Sequence, residues 1–307
     1  MGYIFSHFKI KKKDDNNFLI MDNCTKKMIL KNFGKKNVTL KIKNQTQEKG
    51  IYLAKYDEQK IIIKIKKTES LGLFEMKIYD ILKVNHHKNI CKLVNIFSDE
   101  YTYTYTIWKF YDGMDLYKYL FKKNGYIEYE IFKNILYQTM LGIEFIHSKN
   151  IVHCDLKLEN IIIVDKKIKI IDFDLSIVEE NDFVAESVFG TTGYIAPESY
   201  DLCIYSKKSD IWSLGVVFYL LITNIFPEGC CMNKMLVTTN SYSNLERMNS
   251  FKHLSFNLLE NCAIKKNYDI KILEIIKSML SFKDKNRSTA IELVELVELV
   301  EKIKCID

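Results

Sequence analysis

The first clean alternation of side chains begins at Val38, where Val38-Thr-Leu-Lys-Ile42 places an apolar residue at every second position. That is the pattern of a half-buried strand. Ile51–Lys55 and Lys60–Lys66 repeat it on either side of Asp57-Glu58-Gln59 and predict a hairpin. A helical stretch is expected from Leu71 to Val84, then two more strands at Lys92–Phe97 and Tyr103–Phe110. Gly113 ends this texture, and the period lengthens. Phe132, Leu136, Met140 and Ile143 fall on one face of a helix. Two short strands, Ile161–Val164 and Ile168–Ile171, flank Asp165-Lys166-Lys167, and helices are predicted over 208–223, 268–280 and 288–303. In the last of these Glu-Leu-Val recurs every three residues. That spacing drifts around a helix and predicts local packing, not a repeat domain. Residues 1–37 show no clean period and read as an extension. Strands first and helices afterwards, with no long linker, predict an α+β chain in two lobes.

A length of 307 residues fits one large domain or two modest ones, and 48% hydrophobic residues suffice for a buried core. The net charge of +6 reads as a solvated face, with no nucleic acid expected as a partner. Eight cysteines (Cys24, Cys91, Cys154, Cys203, Cys230, Cys231, Cys262 and Cys305) are scattered without a C-x-x-C pair. With no signal-peptide pattern, a reduced intracellular compartment, cytoplasmic in the simplest case, is expected. The longest apolar run, around Leu214–Ile222, is too short to span a bilayer. Met1-Gly2-Tyr3-Ile4-Phe5-Ser6 fits the pattern for acylation of Gly2, although Tyr3 is bulky for it, and Lys9, Lys11, Lys12 and Lys13 supply the basic second signal that a single acyl chain needs. A peripheral membrane contact is therefore an expectation.

The strongest signal is Ile151-Val-His-Cys-Asp-Leu-Lys-Leu-Glu-Asn160. Asp172-Phe173-Asp174 follows, then Gly190-Thr-Thr-Gly-Tyr-Ile-Ala-Pro-Glu198, Ser209-Asp-Ile-Trp-Ser-Leu-Gly215, and Arg287 in Asp284-Lys-Asn-Arg. In this order and spacing the motifs resemble the catalytic loop, D-F-G, A-P-E, central-helix and late-arginine motifs of eukaryotic protein kinases. The resemblance covers roughly residues 38–300. It implies a bilobal kinase fold over 38–307, with a small lobe at 38–108, a hinge at 109–113 and a large, mainly helical lobe at 114–307. It also implies transfer of the ATP γ-phosphoryl group to protein Ser or Thr hydroxyls, Mg2+ as the metal and Mn2+ as a substitute.

Phosphoryl transfer asks a protein mainly for positioning and charge neutralisation. By the resemblance, Asp155 takes or orients the substrate hydroxyl proton and Lys157 neutralises the transferring group. Asn160 and Asp172 are oxygen ligands of the kind Mg2+ takes beside phosphates. Lysine at 157 resembles serine/threonine enzymes rather than tyrosine enzymes. Lys64 is expected on the α- and β-phosphates, paired with Glu75; Glu69 is the alternative. Trp108 is expected behind the adenine, with the backbone of Lys109–Tyr111 pairing to its edge, Asp115 at the ribose, and Ile51, Ile62 and Ile162 lining the slot. Arg287 is expected to pair with Glu198, and Thr191 to bond both Asp155 and Lys157.

Four departures bear on activity. Gly50 is the sole glycine of Asn44–Gly50, where family members cluster glycines so that backbone approaches phosphate, and Thr46 and Glu48 would crowd the nucleotide. Ile62 replaces a small residue. Cys154 replaces the arginine that clamps an activation-segment phosphate, so activity is expected not to depend strongly on phosphorylation of a residue such as Ser187. Asp174 replaces the glycine of D-F-G. A pseudokinase, a binding or scaffold module of the same fold, is the alternative that these changes keep open. Residues 224–268 carry no assignable pattern.

Overall fold

The computed structural model describes residues 39–45, 49–56, 59–98, 103–179, 184–227 and 254–303. Gly2, Lys9–Lys13, Thr46, Glu48, Asp57 and Glu58 lie outside them, as do residues 228–253 of the unassigned stretch. Contacts divide the chain into two compact units. One holds the residues up to Ser70 together with Val94–Phe110; the other holds Leu71–Leu93 and everything from Tyr111 onward.

The first unit is an antiparallel sheet of β1 (Thr39–Gln45), β2 (Lys49–Tyr56), β3 (Gln59–Lys67), β4 (Leu93–Ser98) and β5 (Tyr103–Lys109), in the order β1-β2-β3-β5-β4. Strand β3 follows the predicted alternation, whereas β5 is buried at every residue from Thr104 to Trp108 and is therefore dry on both faces. Ile61, Ile63 and Ile65 are buried with Tyr52, Ala54, Tyr105 and Ile107 in one apolar cluster. Because strand side chains alternate, Ile62 and Lys64 point to the other face. Their register partners share that face: Ile51 and Thr106 lie beside Lys64, and Trp108 lies beside Ile62. Gly50 is no loop residue; it sits within β2, paired with Gln45 and Ile65.

The second unit begins with α1 (Glu75–Val84). The helix opens four residues after the predicted start, because Gly72 contributes no side chain and Leu73 points to solvent at 85% exposure. A three-stranded sheet joins β6 (Met114–Asp115), β8 (Ile161–Val164) and β9 (Lys167–Ile170), and β7 (Ile151–Val152) pairs with β10 (Ile177–Val178). Gly113 enters β6 so close to β8 that a Cβ would stand 2.3 Å from the Ile163 carbonyl oxygen, which excludes any side chain there. The helices are α2 (Leu116–Lys122), α3 (Tyr129–Ser148), α4 (Pro197–Leu202), α5 (Lys207–Thr223), α6 (Asn257–Lys265), α7 (Ile270–Met279) and α8 (Ala290–Ile303). Phe132, Leu136, Met140 and Ile143 of α3 are fully buried, as their spacing predicts.

Helix α5 is the axis of this unit. Every residue from Ser209 to Thr223 is buried. Its start is fixed by Ser206, whose side chain accepts the Lys208 N–H while Ser209 Oγ accepts the Ser206 N–H, a reciprocal cap. Helices α6 and α7 pack on it. In α8 Ala290 is buried, and the Glu-Leu-Val run that follows buries Leu293 and Val297 and leaves Leu296 and Leu299 exposed. The helical period of 3.6 thus selects one leucine of the repeat for the core. Among the described residues no helix is long and apolar enough to cross a membrane.

Candidate active site

The segment after β7 leaves regular structure through Cys154, whose φ is +64°. Left-handed backbone at a non-glycine residue costs free energy and needs surrounding bonds to hold it. Asp210, in the first turn of α5, supplies them. Its Oδ2 accepts the His153 N–H at 2.8 Å, its Oδ1 accepts the Cys154 N–H at 2.9 Å, and His147 Nε2 lies 3.0 Å from Oδ2. The His153 ring continues the scaffold: Nε2 donates to the Ile171 carbonyl at 3.0 Å and Nδ1 accepts the Asp155 N–H at 3.3 Å. The same ring packs on buried Phe173, 4.9 Å between centroids. The Cys154 thiol is raised well above its ordinary pKa by burial, with the Asp210 charge adding to it. It stays protonated and is no nucleophile.

This scaffold presents one carboxylate. Asp155 Oδ1 accepts from Thr191 Oγ1 at 2.5 Å. Its Oδ2 accepts from Lys157 Nζ at 2.7 Å and from Asn160 Nδ2 at 3.1 Å. Lys157 Nζ also donates to Thr191 Oγ1 at 2.7 Å, closing a ring of three side chains. Asn160 Nδ2 donates further to the Asp155 carbonyl at 2.8 Å, so the amide nitrogen is turned toward Asp155. An ionised carboxylate has about four acceptor positions. Three are filled here, which leaves Oδ1 room for one more donor.

Asp172 stands beside this ring, because the Ile171 N–H donates to the Asn160 carbonyl at 3.0 Å. Its φ is +70°, left-handed like that of Cys154. Ser176 ties the following turn back to the loop through a 3.1 Å bond to the His153 carbonyl. Among the described residues no three His, Cys, Asp or Glu side chains form a metal site of their own. Asn160 and Asp172 nevertheless fit a divalent cation. They are neighbouring hard oxygen donors, the partial set that Mg2+ takes when phosphates complete the shell.

Glu75 opens α1. It is 2% exposed and accepts the Gly72 N–H at 3.0 Å and a short bond from the Tyr79 hydroxyl. The Tyr79 phenol is held far above its ordinary pKa by burial first, then by Asp174, Glu75 and Asp172. Asp115 is the N-cap of α2: Oδ1 accepts the Lys118 N–H at 2.8 Å and Oδ2 meets Lys118 Nζ at 2.6 Å. It pairs across the sheet with Ile162. The Tyr111 hydroxyl accepts the Lys92 N–H at 3.2 Å, and its ring lies under Lys169 at 4.9 Å. Ile51, Ile62, Lys64 and Lys109 belong to the first unit, where Lys109 ends β5 opposite Ile61.

The expected Arg287–Glu198 pair is present and bidentate, at 2.6 and 2.8 Å. Sequence reasoning named neither Asp210 nor His147 as a support of the loop. The available signal was a carboxylate inside an otherwise apolar helix, which demands buried partners.

The model of the protein kinase domain family matches residues 33–297. Calcium-dependent protein kinase 4 of Plasmodium berghei (strain Anka) is 33% identical over 230 residues, covering 73% of this chain and 40% of that protein. Calcium/calmodulin-dependent protein kinase type 1 of Caenorhabditis elegans is 34% identical over 151 residues, covering 48% of this chain and 42% of that protein. The chain thus spans less than half the length of these relatives. A crystal structure of Rad53 1-466 in complex with AMP-PNP superposes with a TM-score of 0.65 at 23% identity, over 89% of this chain and 68% of that one. That likeness establishes the fold. With the family's model matched over most of its length, the chain belongs to the protein kinase domain family.

Proposed function

We propose that the chain is an active serine/threonine protein kinase that transfers the γ-phosphoryl group of Mg–ATP to a protein hydroxyl. The observation that carries this reading is the Asp155 carboxylate held by Thr191, Lys157 and Asn160 with one acceptor position left. A substrate hydroxyl donating to that position is oriented for attack and gives its proton to Asp155 as its oxygen bonds the γ-phosphorus, the bond from that phosphorus to the bridging oxygen breaks, and ADP leaves with the electron pair. Lys157 places a fixed cation beside the transferring group, where charge builds. Asn160 and Asp172 would hold Mg2+, with Mn2+ as a substitute, and the bound ion would supply charge neutralisation at the phosphate oxygens. Lys64 grips the α- and β-phosphates with Glu75 as its partner. The backbone of Lys109 and Tyr111 pairs with adenine between Ile51, Ile62 and Ile162, and Asp115 meets the ribose. A cytoplasmic setting with membrane contact through acylated Gly2 and Lys9–Lys13 completes the proposal; incorporation of labelled myristate, absent in Gly2→Ala, tests it.

One observation favours the pseudokinase reading instead. Ile62 and Trp108 are direct cross-strand partners on the Lys64 face, and both are bulky where a nucleotide base needs a slot. Transfer of labelled γ-phosphoryl to a basic acceptor protein decides between the readings. The parent chain is expected to transfer, and Asp155→Asn and Asp172→Asn are expected to abolish transfer while remaining folded. A parent inactive at millimolar ATP with Mg2+ or Mn2+ overturns the enzyme reading. Mg–ATP at a hundred times its dissociation constant stabilises a folded protein by about 2.7 kcal/mol, so an unmoved melting temperature also excludes nucleotide binding.

A further inference from the structure

Thr191 can order Asp155 only if the chain leading to it is itself fixed. In this chain Cys154 fills the position of the phosphate-clamping arginine, and a buried thiol offers an anion nothing. The structure shows a different contact on this segment. The Tyr205 hydroxyl accepts the Phe189 N–H at 2.7 Å and donates to the Phe189 carbonyl at 2.7 Å, so one oxygen satisfies both backbone groups of one residue. The two rings stack, 4.0 Å between centroids and 16° from parallel. Burial pushes the Tyr205 phenol above its ordinary pKa, so it stays a donor. The Ala185 N–H adds a bond to the Cys203 carbonyl at 3.0 Å.

On both sides of this contact the chain is committed. Gly190 follows with φ +101°, and a Cβ there would stand 2.9 Å from the Cys154 carbonyl oxygen. Thr191 comes next and reaches Asp155 and Lys157. Tyr205 itself directly precedes Ser206, the N-cap of α5. Asp210, one turn further on, holds the backbone of His153 and Cys154. The start of α5 therefore grips the catalytic loop through Asp210 and the segment carrying Thr191 through Tyr205.

We propose that Tyr205 is a positioning residue for phosphoryl transfer: its hydroxyl latches the backbone of Phe189 and so sets Thr191 against Asp155 without a phosphate on the segment. The inference rests on the phosphotransfer reading, and its test separates the two. Tyr205→Phe removes one oxygen and keeps the stacked ring. Hydrogen exchange of the peptide covering 184–193 is measured in the parent and in Y205F, beside kcat and the KM for ATP. Loss of hydrogen bonds of ordinary net strength speeds local opening roughly three- to tenfold. The expected result is that acceleration confined to 184–193, unchanged exchange in α5, a several-fold fall in kcat and an unmoved KM. Unchanged exchange in Y205F overturns the proposal. So does equal acceleration throughout α5, which marks a packing role, or faster exchange with unaltered kcat. Phe189→Leu keeps both backbone bonds; if it alone reproduces the effect and Y205F does not, the stack and not the hydroxyl holds the segment. A parent that transfers nothing removes the phosphotransfer reading and the catalytic consequence with it, while the exchange measurement still decides the latch.

Discussion

Replacing Arg287 by Ala removes five side-chain hydrogen bonds at once. The Arg287 side chain has no exposed area, and Glu198 is 12% exposed. Besides its two bonds to Glu198, the guanidinium donates to the carbonyls of Ser281, Lys208 and Phe282 at 2.8, 2.9 and 3.2 Å. It also lies 5.0 Å from the Trp212 ring centre. Truncation leaves a nearly buried carboxylate and three carbonyls without their donor. Breaking a buried pair from one side costs about 3–5 kcal/mol. In a unit of this size, each kcal/mol moves the melting temperature by roughly 2–4 °C, so a fall of about 6–20 °C is expected. Urea unfolding followed by tryptophan fluorescence reads the loss, since Trp212 is one of only two tryptophans. Arg287→Lys keeps the charge but not the fork and is expected to fall between the two. Arg287→Met with Glu198→Gln removes both charges. It is expected to lose less than the sum of the single changes, by about 2 kcal/mol. An Arg287→Ala chain within about 1 kcal/mol of the parent refutes the reasoning, because the pair would then be no more than a surface contact.

Gly190→Ala forces a side chain into left-handed backbone and against the Cys154 carbonyl. A stability loss of about 1–3 kcal/mol by denaturation and a fall in turnover beyond tenfold are expected, because the residue that shifts is Thr191. Ser187→Asp is expected to leave turnover within about twofold of the parent in the same transfer assay; a many-fold rise would show a phosphate clamp that the buried Cys154 does not supply. His87 stacks on Phe145 at 4.9 Å, and burial, then Lys88 and Lys169, lower its pKa below the ordinary 6.5. The folded state therefore binds this proton less readily than the unfolded chain. The stabilisation is present above about pH 6.5 and is lost as pH falls through the lower folded value. Denaturation midpoints measured between pH 7.5 and 5 are expected to drop less steeply in His87→Gln; identical slopes would contradict the assignment.

What could be read from the sequence follows from how each element is buried. Strand β3 alternates between buried and more open side chains and α3 has one dry face, so period two and period 3.6 reveal them. Helix α5 is dry on every side, and no amphipathic pattern marks it; its cap at Ser206 and the Ser209–Gly215 motif place it instead. Helix α6 lies in the stretch left unassigned, with Leu259 and Ala263 its two buried side chains, too few for a face to register. Asp155, Lys157, Asn160 and Asp172 stood out because their order and spacing are dictated by the chemistry. The Tyr205 latch did not. Its partner is backbone, which every residue carries, so no residue type at Phe189 announces the contact. The left-handed turns divide the same way: Asn124, Asn150, Asp165, Asp172, Asn224 and Asn267 are residues that tolerate positive φ, whereas Cys154, Lys166 and Cys203 are not signalled.

Asp155 has two walls of different character. One is suspended from α5, an interior element that cannot come loose without solvent entering along its whole length. On that side the carboxylate keeps its setting up to the temperature at which the helical unit itself melts, so thermal inactivation and cooperative unfolding become a single event with a single midpoint. The other wall is a short run of chain tied by the Tyr205 phenol at Phe189 and by the Ala185–Cys203 backbone bond. In the proposed phosphotransfer, a binding protein that pries the two stacked rings apart would move Thr191 away from Asp155 while leaving the α5 side in place.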